Sequence, residues 1–357
     1  MNNSVIIPNN TFQTLNQEVL ERDFSKNIIP SFICKFSPLS TWHVIQLDEI
    51  IQKKIEVKSQ NLYFEDILIK KHNPNLIFEN VSKIIDENQF FAFRIITAEN
   101  IKQRLQSNLP LHLLTIYYPF HFFFRRVLPK TKGFRKISRL LNIPIDVSKS
   151  EILGRLIYNG FNIVSYNETD EETIIIAKVN FQNNPSLTKT PPSEGLMFKM
   201  VRMGKNAKNI TVYKFRSMHP YAEYVQEYIH NNHGLDIGGK FKDDFRVSTG
   251  GRIIRKYWID ELPMIYNLIK GDIKLIGVRP ISEHYFNLYP DYLKELRVKT
   301  KPGLLPPFYA DMPKTFQEIV DSEMTYLHAY QKAPLITDFK YLMRILNNIF
   351  IKRARSQ

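Results

Sequence analysis

Residues 109–124, LPLHLLTIYYPFHFFF, contain no Asp, Glu, Lys or Arg. A chain carrying such a block must either cover it with protein or place it against lipid or a partner. As one helix the block is ~24 Å long, short of the ~30 Å hydrocarbon core of a bilayer. Pro119 falls near its middle, where a ring without an N–H kinks or interrupts a helix. Between Ser107 and Ile145 there are seven basic residues and no acidic one: Arg125, Arg126, Lys130, Lys132, Arg135, Lys136 and Arg139. A short apolar run, a central Pro, an aromatic cluster and a basic flank fit a re-entrant or interfacial membrane segment over 107–140, built around Pro119, with Arg125 and Arg126 at anionic headgroups. The other reading is a buried core helix followed by a solvated basic face. Nucleic-acid binding would interleave aromatic and basic residues. Here they occupy separate blocks, so no nucleic-acid partner is expected.

The whole chain has 357 residues and a formal net charge of +14, half of which those seven residues account for. Such an excess favours an anionic partner, either lipid headgroups or a phosphorylated substrate. Cys34 is the single cysteine, which excludes an internal disulfide and a Cys-based zinc cluster and fits a reducing compartment. The start, MNNSVIIPNNTFQ, lacks the basic and then apolar pattern of a signal peptide. Residues 1–30 read as a polar lead-in. Residues 31–182 read as a mixed α/β domain containing the 107–140 segment. In it TWHVIQLDEIIQKKI reads as a helix, 75–87 as a helix and Phe90–Ile96 as a buried strand. SKSEILGRLIYNGF reads as a helix capped by Ser148 or Ser150 and stopped by Gly160, and FNIVSY and TIIIAKV as a hairpin around NETDEE. No Gly-rich phosphate loop is present. Residues 183–194 are a Pro-rich polar linker, and 195–357 a second domain of α/β (α+β) class.

The chemistry concentrates in Tyr257–Pro280, YWIDELPMIYNLIKGDIKLIGVRP. Neighbours in sequence do not share a helix face, so Asp260 and Glu261 serve one site only at a bend or a helix start, with Pro263 in the first turn. The positive end of a helix dipole and its free N–H groups suit phosphate there, and Arg279 offers a planar fork for phosphate oxygens. Upstream, GLMFKMVRMGKNAKNITVYKFRSM reads as two strands about a Gly-Lys-Asn turn, with Lys214 and Arg216 on one face of the second as a phosphate clamp. Arg246 and Arg255 are further candidates for phosphate or carboxylate pairing. The last segment, 338–355, reads as a basic amphipathic helix that lies on a membrane or caps the fold.

These two stretches resemble the bacterial sugar transferases, the monotopic polyprenyl-phosphate phosphoglycosyl transferases. The family pattern LDELPQ-x-x-N-V-L-K-G-D-M-S-x-V-G-P-R-P is matched at Asp260, Glu261, Leu262, Pro263, Asn267, Lys270, Gly271, Asp272, Gly277, Arg279 and Pro280. Its opening, G-P-V-F-F-K-Q-x-R-x-G-x-x-G-x-x-F-x-x-Y-K-F-R-T-M, is matched at Gly195, Phe198, Lys199, Arg202, Gly204, Lys205, Tyr213, Lys214, Phe215, Arg216 and Met218. The resemblance implies a compact monotopic catalytic domain that moves a phospho-sugar from a UDP-sugar to polyprenyl (undecaprenyl) phosphate. It places the protein at the cytoplasmic face of a bacterial inner membrane. It implies Asp260 as the nucleophile forming a covalent intermediate, and Glu261 as base or metal ligand. Mg²⁺ would be held by Asp260 and Glu261, and phosphate by Arg279, Lys214, Arg216 and Arg255. After Lys301–Pro302–Gly303 the pattern lapses: LLPPFYADMP stands where the family has ITGLWQVxGR. The apolar segment also lies some 65 residues further upstream than in the family. The alternative is a catalytically silent scaffold on a membrane surface that serves polysaccharide assembly.

Overall fold

Short runs of aromatic and β-branched residues build the first sheet. The computed structural model describes residues 30–45, 60–64, 74–131, 133–141, 143, 145–180, 192–233 and 244–352. Strands β1 (Trp42–Ile45), β2 (Asn61–Phe64), β3 (Phe90–Ile95), β4 (Phe161–Glu168) and β5 (Thr173–Val179) lie in the order β1-β2-β3-β5-β4. The first three are parallel; β4 and β5 form the expected hairpin, with β5 antiparallel to β3. The start of the segment 41–55 read as a helix is corrected. Trp42–Ile45 is a strand because it pairs along its length with Asn61–Phe64 and buries Trp42 and Ile45. Aromatic and β-branched side chains fit such a pleated surface better than a helix. Residues 46–55 of that reading lie outside the described residues, as do 1–29 of the lead-in and most of the linker.

Among the described residues, helix α1 (Pro74–Ser82) lies between β2 and β3, and α2 (Ala98–Asn108), α3 (Leu111–Phe122), α4 (Phe134–Leu140) and α5 (Lys149–Tyr158) lie between β3 and β4. Ser148 caps α5, its hydroxyl accepting from the Glu151 N–H at 3.1 Å, and Gly160 at φ 85° ends the turn that follows. Phe78, Phe91, Phe93 and Phe161 stack and tilt against one another under α1 and α5. Val225 and Ile229, from the second half of the chain, are buried in this same cluster. The segment after the β6–β7 ribbon therefore shares this core.

The apolar block forms α3, which runs through Pro119 and continues into a π turn over Phe123–Val127. No residue of α3 is buried, and Leu111, Ile116 and Phe120 are 76%, 64% and 61% exposed. That excludes the core-helix reading. No helix among the described residues is long and apolar enough to cross a membrane. The placement of Arg126 at headgroups is corrected, while Arg125 stays partly exposed. Arg126 is buried against His219, and Arg125 pairs with Asp146 at 2.9 Å. The buried imidazole of His219 draws the Arg126 guanidinium inward.

In the second half, β6 (Met197–Met203) and β7 (Asn209–Phe215) form an antiparallel ribbon. Then follow α6 (Gln226–His233), α7 (Thr249–Lys256), α8 (Met264–Lys270), β8 (Lys274–Ile276), α9 (Asp291–Val298), β9 (Gly303–Leu305), α10 (Phe316–Lys332) and α11 (Pro334–Leu346). Strands β8 and β9 pair in parallel, and their backbones cross so closely that a Cβ on Gly303 would lie 2.1 Å from the Gly277 nitrogen. The terminal helix α11 buries Tyr341 and Ile345 and so caps the fold, while Leu335, Ile336 and Phe339 on its other side stay exposed.

Candidate active site

Helix α7 is capped by Tyr257, and Trp258 takes the left-handed conformation (φ 55°), which turns the chain sharply. A single 3-10 turn, Ile259–Glu261, then presents both carboxylates before Pro263 caps α8. This is the bend that adjacent acids need to serve one site. Helix α8 stops at Gly271 (φ 80°), and its buried Asn267 fastens the turn to the ribbon. The Asn267 amide donates to the Thr211 carbonyl at 2.7 Å and its oxygen accepts from the Tyr213 N–H at 3.1 Å. Asn267 also donates to Asp272 at 3.1 Å. The motif's Asn and Asp are thus braces that set β7 against the carboxylates.

That brace brings Lys214 to Glu261, with Nζ donating to Oε1 at 2.5 Å. Arg279 approaches the same Oε1 at 4.0 Å and keeps a 56% exposed side chain, free to meet a ligand. Burial pushes the Asp260 carboxyl above its ordinary range; Lys214 opposes this, and Glu261 adds to it. Arg255 donates to the Ser217 hydroxyl at 2.7 Å, and its charge is felt at Asp260. Arg216 does not join Lys214 as a clamp on one phosphate. It lies one residue past β7 and donates to the Gly195 carbonyl (3.0 Å) and the Ser193 hydroxyl (2.9 Å). Arg246 is held by both oxygens of Asp244, at 2.8 and 2.7 Å.

All of these cations face a cavity of about 680 Å³, which Arg202 also lines. Beyond Arg279 its wall is aromatic, with Tyr285, Tyr289, Phe308 and Tyr309. The last two come from LLPPFYADMP, the stretch that departs from the family pattern, and they supply rings where that pattern gave no guidance. Glu323 lies in this wall too, buried and paired with Arg297. Arg297 also donates to the Arg279 carbonyl at 2.6 Å. Motif reading missed this pair. Its signal is a carboxylate on the same α10 stripe as the buried Val320, Tyr326 and Leu327.

Among the described residues no group of three or more His, Cys, Asp or Glu side chains is placed to hold a metal ion. Two adjacent carboxylates remain, which fit Mg²⁺ when substrate phosphates complete its oxygen shell.

Residues 186–352 match the family model described as bacterial sugar transferase. It is similar to the galactosyl transferase CpsE of Streptococcus agalactiae, 31% identical over 159 residues, which are 43% of this chain and 34% of that protein. It is similar to the UDP-N-acetylgalactosamine-undecaprenyl-phosphate N-acetylgalactosaminephosphotransferase of Aeromonas hydrophila, 41% identical over 85 residues, 24% of this chain and 18% of that protein. It is also similar to the UDP-glucose:undecaprenyl-phosphate glucose-1-phosphate transferase of Klebsiella pneumoniae, 33% identical over 156 residues, 41% and 30% of the two chains. The chain spans at most about half the length of the curated relatives it matches.

Proposed function

We propose that this protein transfers a phospho-sugar from a UDP-sugar to polyprenyl phosphate and so starts a lipid-linked polysaccharide. The observation that carries the reading is the Asp260–Glu261 turn, held against Lys214 in an arginine-lined cavity. A nucleotide diphosphate sugar presents concentrated negative charge, which a carboxylate nucleophile can approach only among cations. In the first step an Asp260 oxygen attacks the sugar-linked phosphorus. The bond to the bridging oxygen breaks, UMP leaves with its electron pair, and the phospho-sugar remains as an acyl phosphate. In the second step a phosphate oxygen of the lipid attacks the same phosphorus, and Asp260 leaves as a carboxylate. Lys214 holds Glu261 beside the reacting carboxylate, and Arg279 and Arg255 take phosphate oxygens. Mg²⁺, where bound at Asp260 and Glu261, supplies further positive charge against the diphosphate.

The acceptor is a lipid, so the site belongs at a membrane surface, on the cytoplasmic face of the bacterial inner membrane. The exposed helix α3 supports this. Gly250, in the first turn of α7, lies against the Phe122 ring at the end of α3, its Cβ position 3.4 Å away. Helix α7 is ~12 Å long and leads directly to Asp260. The apolar segment, though distant in sequence, thus touches the helix that precedes the carboxylates. Ile116→Asp with Phe120→Asp is expected to lower binding to anionic vesicles at least tenfold in flotation, since each buried apolar side chain contributes about 1.5–3 kcal/mol. Both positions are exposed, so melting temperature should hardly move. Unchanged flotation would remove α3 as the anchor.

The relatives' names carry galactose, N-acetylgalactosamine and glucose, so the donor is a matter for a panel. UMP release from each UDP-sugar, with Mg²⁺ and undecaprenyl phosphate in detergent, tests the reaction. Release should need both lipid and metal for turnover and should favour one sugar. No release from any donor would return the silent scaffold as the better reading.

A further inference from the structure

His219 lines the cavity and is 5% exposed. Its Nδ1 lies 2.9 Å from Nη2 of Arg126. A guanidinium can only donate, so Nδ1 must accept and the ring proton sits on Nε2. Among the described residues Nε2 has no hydrogen-bond partner, which leaves an N–H donor for a ligand in the cavity. Burial holds the ring neutral, and the charges of Arg126, Lys130 and Arg252 reinforce this against the single opposing charge of Glu151.

The place of this donor says which ligand. Arg126 packs its guanidinium over the Phe122 ring, 5.4 Å from the centroid, at the end of the exposed apolar helix. Two residues before His219, Ser217 accepts from Arg255, which faces Asp260. His219 therefore lies on the side of Asp260 where apolar surface meets the cavity. The aromatic wall with Tyr289 and Glu323 lies on the Arg279 side. An acceptor made of a phosphate on a long apolar chain needs the first arrangement; a nucleotide sugar needs the second.

We propose that His219 is a substrate-contacting residue of the acceptor half-site, donating from Nε2 to the phosphate of the polyprenyl phosphate, and that Arg126 is the residue that positions it. The proposal rests on the phosphoglycosyl transfer reading above. It couples the apolar helix to the second chemical step: seating α3 sets Arg126, and Arg126 sets the tautomer of His219.

The test uses the full chain in detergent and separates the two half-reactions. The UMP burst without acceptor reports the donor step, and steady-state transfer to undecaprenyl phosphate reports the acceptor step. A glutamine amide reaches about where Nε2 lies, and an asparagine amide only where Nδ1 lies. His219→Gln should keep the acceptor KM within about threefold, and His219→Asn should raise it roughly 10- to 100-fold, the worth of one hydrogen bond to a charged group. Burst amplitude and donor KM should hold in both. Arg126→Met should raise the acceptor KM at pH 8. The rise should persist at lower pH, because burial and the charges of Lys130 and Arg252 still hold the ring neutral once Arg126 is gone. Equal acceptor KM values for the Gln and Asn variants, or a burst lost in step with transfer, would overturn the proposal and leave the reaction assignment standing. A wild-type protein with no burst from any UDP-sugar would overturn both.

Discussion

Asp260→Asn is expected to abolish transfer, with UMP release falling at least about 10³-fold, a barrier increase of roughly 4 kcal/mol. The substitution keeps the shape of the side chain and removes its charge. Asn cannot form an acyl phosphate, so both the acceptor-free burst and turnover should vanish together. The surroundings should survive. The Lys214–Glu261 contact at 2.5 Å does not pass through Asp260, and the turn is held by Asn267 and Trp258. Burial already disfavours the Asp260 charge, so a neutral residue there should leave melting temperature unchanged or slightly raised. Donor binding, followed by fluorescence or calorimetry with a UDP-sugar, should persist within a few-fold. Loss of chemistry with retained fold and binding is the pattern of a nucleophile. Equal UMP release by both proteins would remove Asp260 from that role and shift attention to direct attack by the lipid phosphate.

The motif that announces this chemistry mixes two kinds of residue, and only the structure separates them. Asp260, Glu261, Lys214, Arg255 and Arg279 line the cavity. Asn267, Asp272, Gly277 and Gly303 build the frame behind it, through side-chain braces and a backbone crossing that excludes a Cβ. Spacing alone made both kinds legible as a set. Local signals served well elsewhere: Ser148 as a cap, Gly160 as a stop, and the hairpin around NETDEE each depend on nearby residues. Features that depend on distant partners were not legible. Trp42–Ile45 is a strand because Asn61–Phe64 lies beside it. Arg126 turns inward because His219, 93 residues on, accepts its hydrogen bond. Arg216 looked like half of a clamp by strand periodicity, but the strand ends one residue earlier and the side chain ties down the Ser193–Gly195 backbone. The aromatic cavity wall lay hidden for a different reason. Phe308 and Tyr309 stand in a stretch that departs from the family pattern, and nothing local distinguishes a ring that faces a ligand from one that faces a core.

The Arg297–Glu323 pair should show how far the frame and the chemistry can be separated. Both side chains are nearly buried, at 5% and 6% exposure, and burial pushes the Glu323 carboxyl up while Arg297 pulls it down. Arg297→Met leaves that carboxylate buried without its counter-charge, which costs about 3–5 kcal/mol. For a domain of this size each kcal/mol is worth roughly 2–4 °C, so melting should fall by about 6–20 °C. The loss has a sign in pH. Without Arg297 the folded pKa of Glu323 rises further above its unfolded value, so the folded state binds more protons between the two, and stability falls as pH rises through that window. The variant should therefore melt closer to wild type at pH 5 than at pH 8. Adding Glu323→Leu replaces the whole pair by apolar groups and should restore most of the stability, because a missing pair is cheaper than a broken one. Activity should not return with it. Arg297 is also the donor that fixes the Arg279 carbonyl at 2.6 Å, and a freed Arg279 backbone lets the phosphate fork beside Glu261 wander. A misplacement of about 1 Å there can cost on the order of 10²-fold in rate. A double variant that regained both melting temperature and kcat would reduce the pair to a purely structural role. One that regained only the first would make Arg297 the residue through which the α9–α10 core aims Arg279 at the substrate.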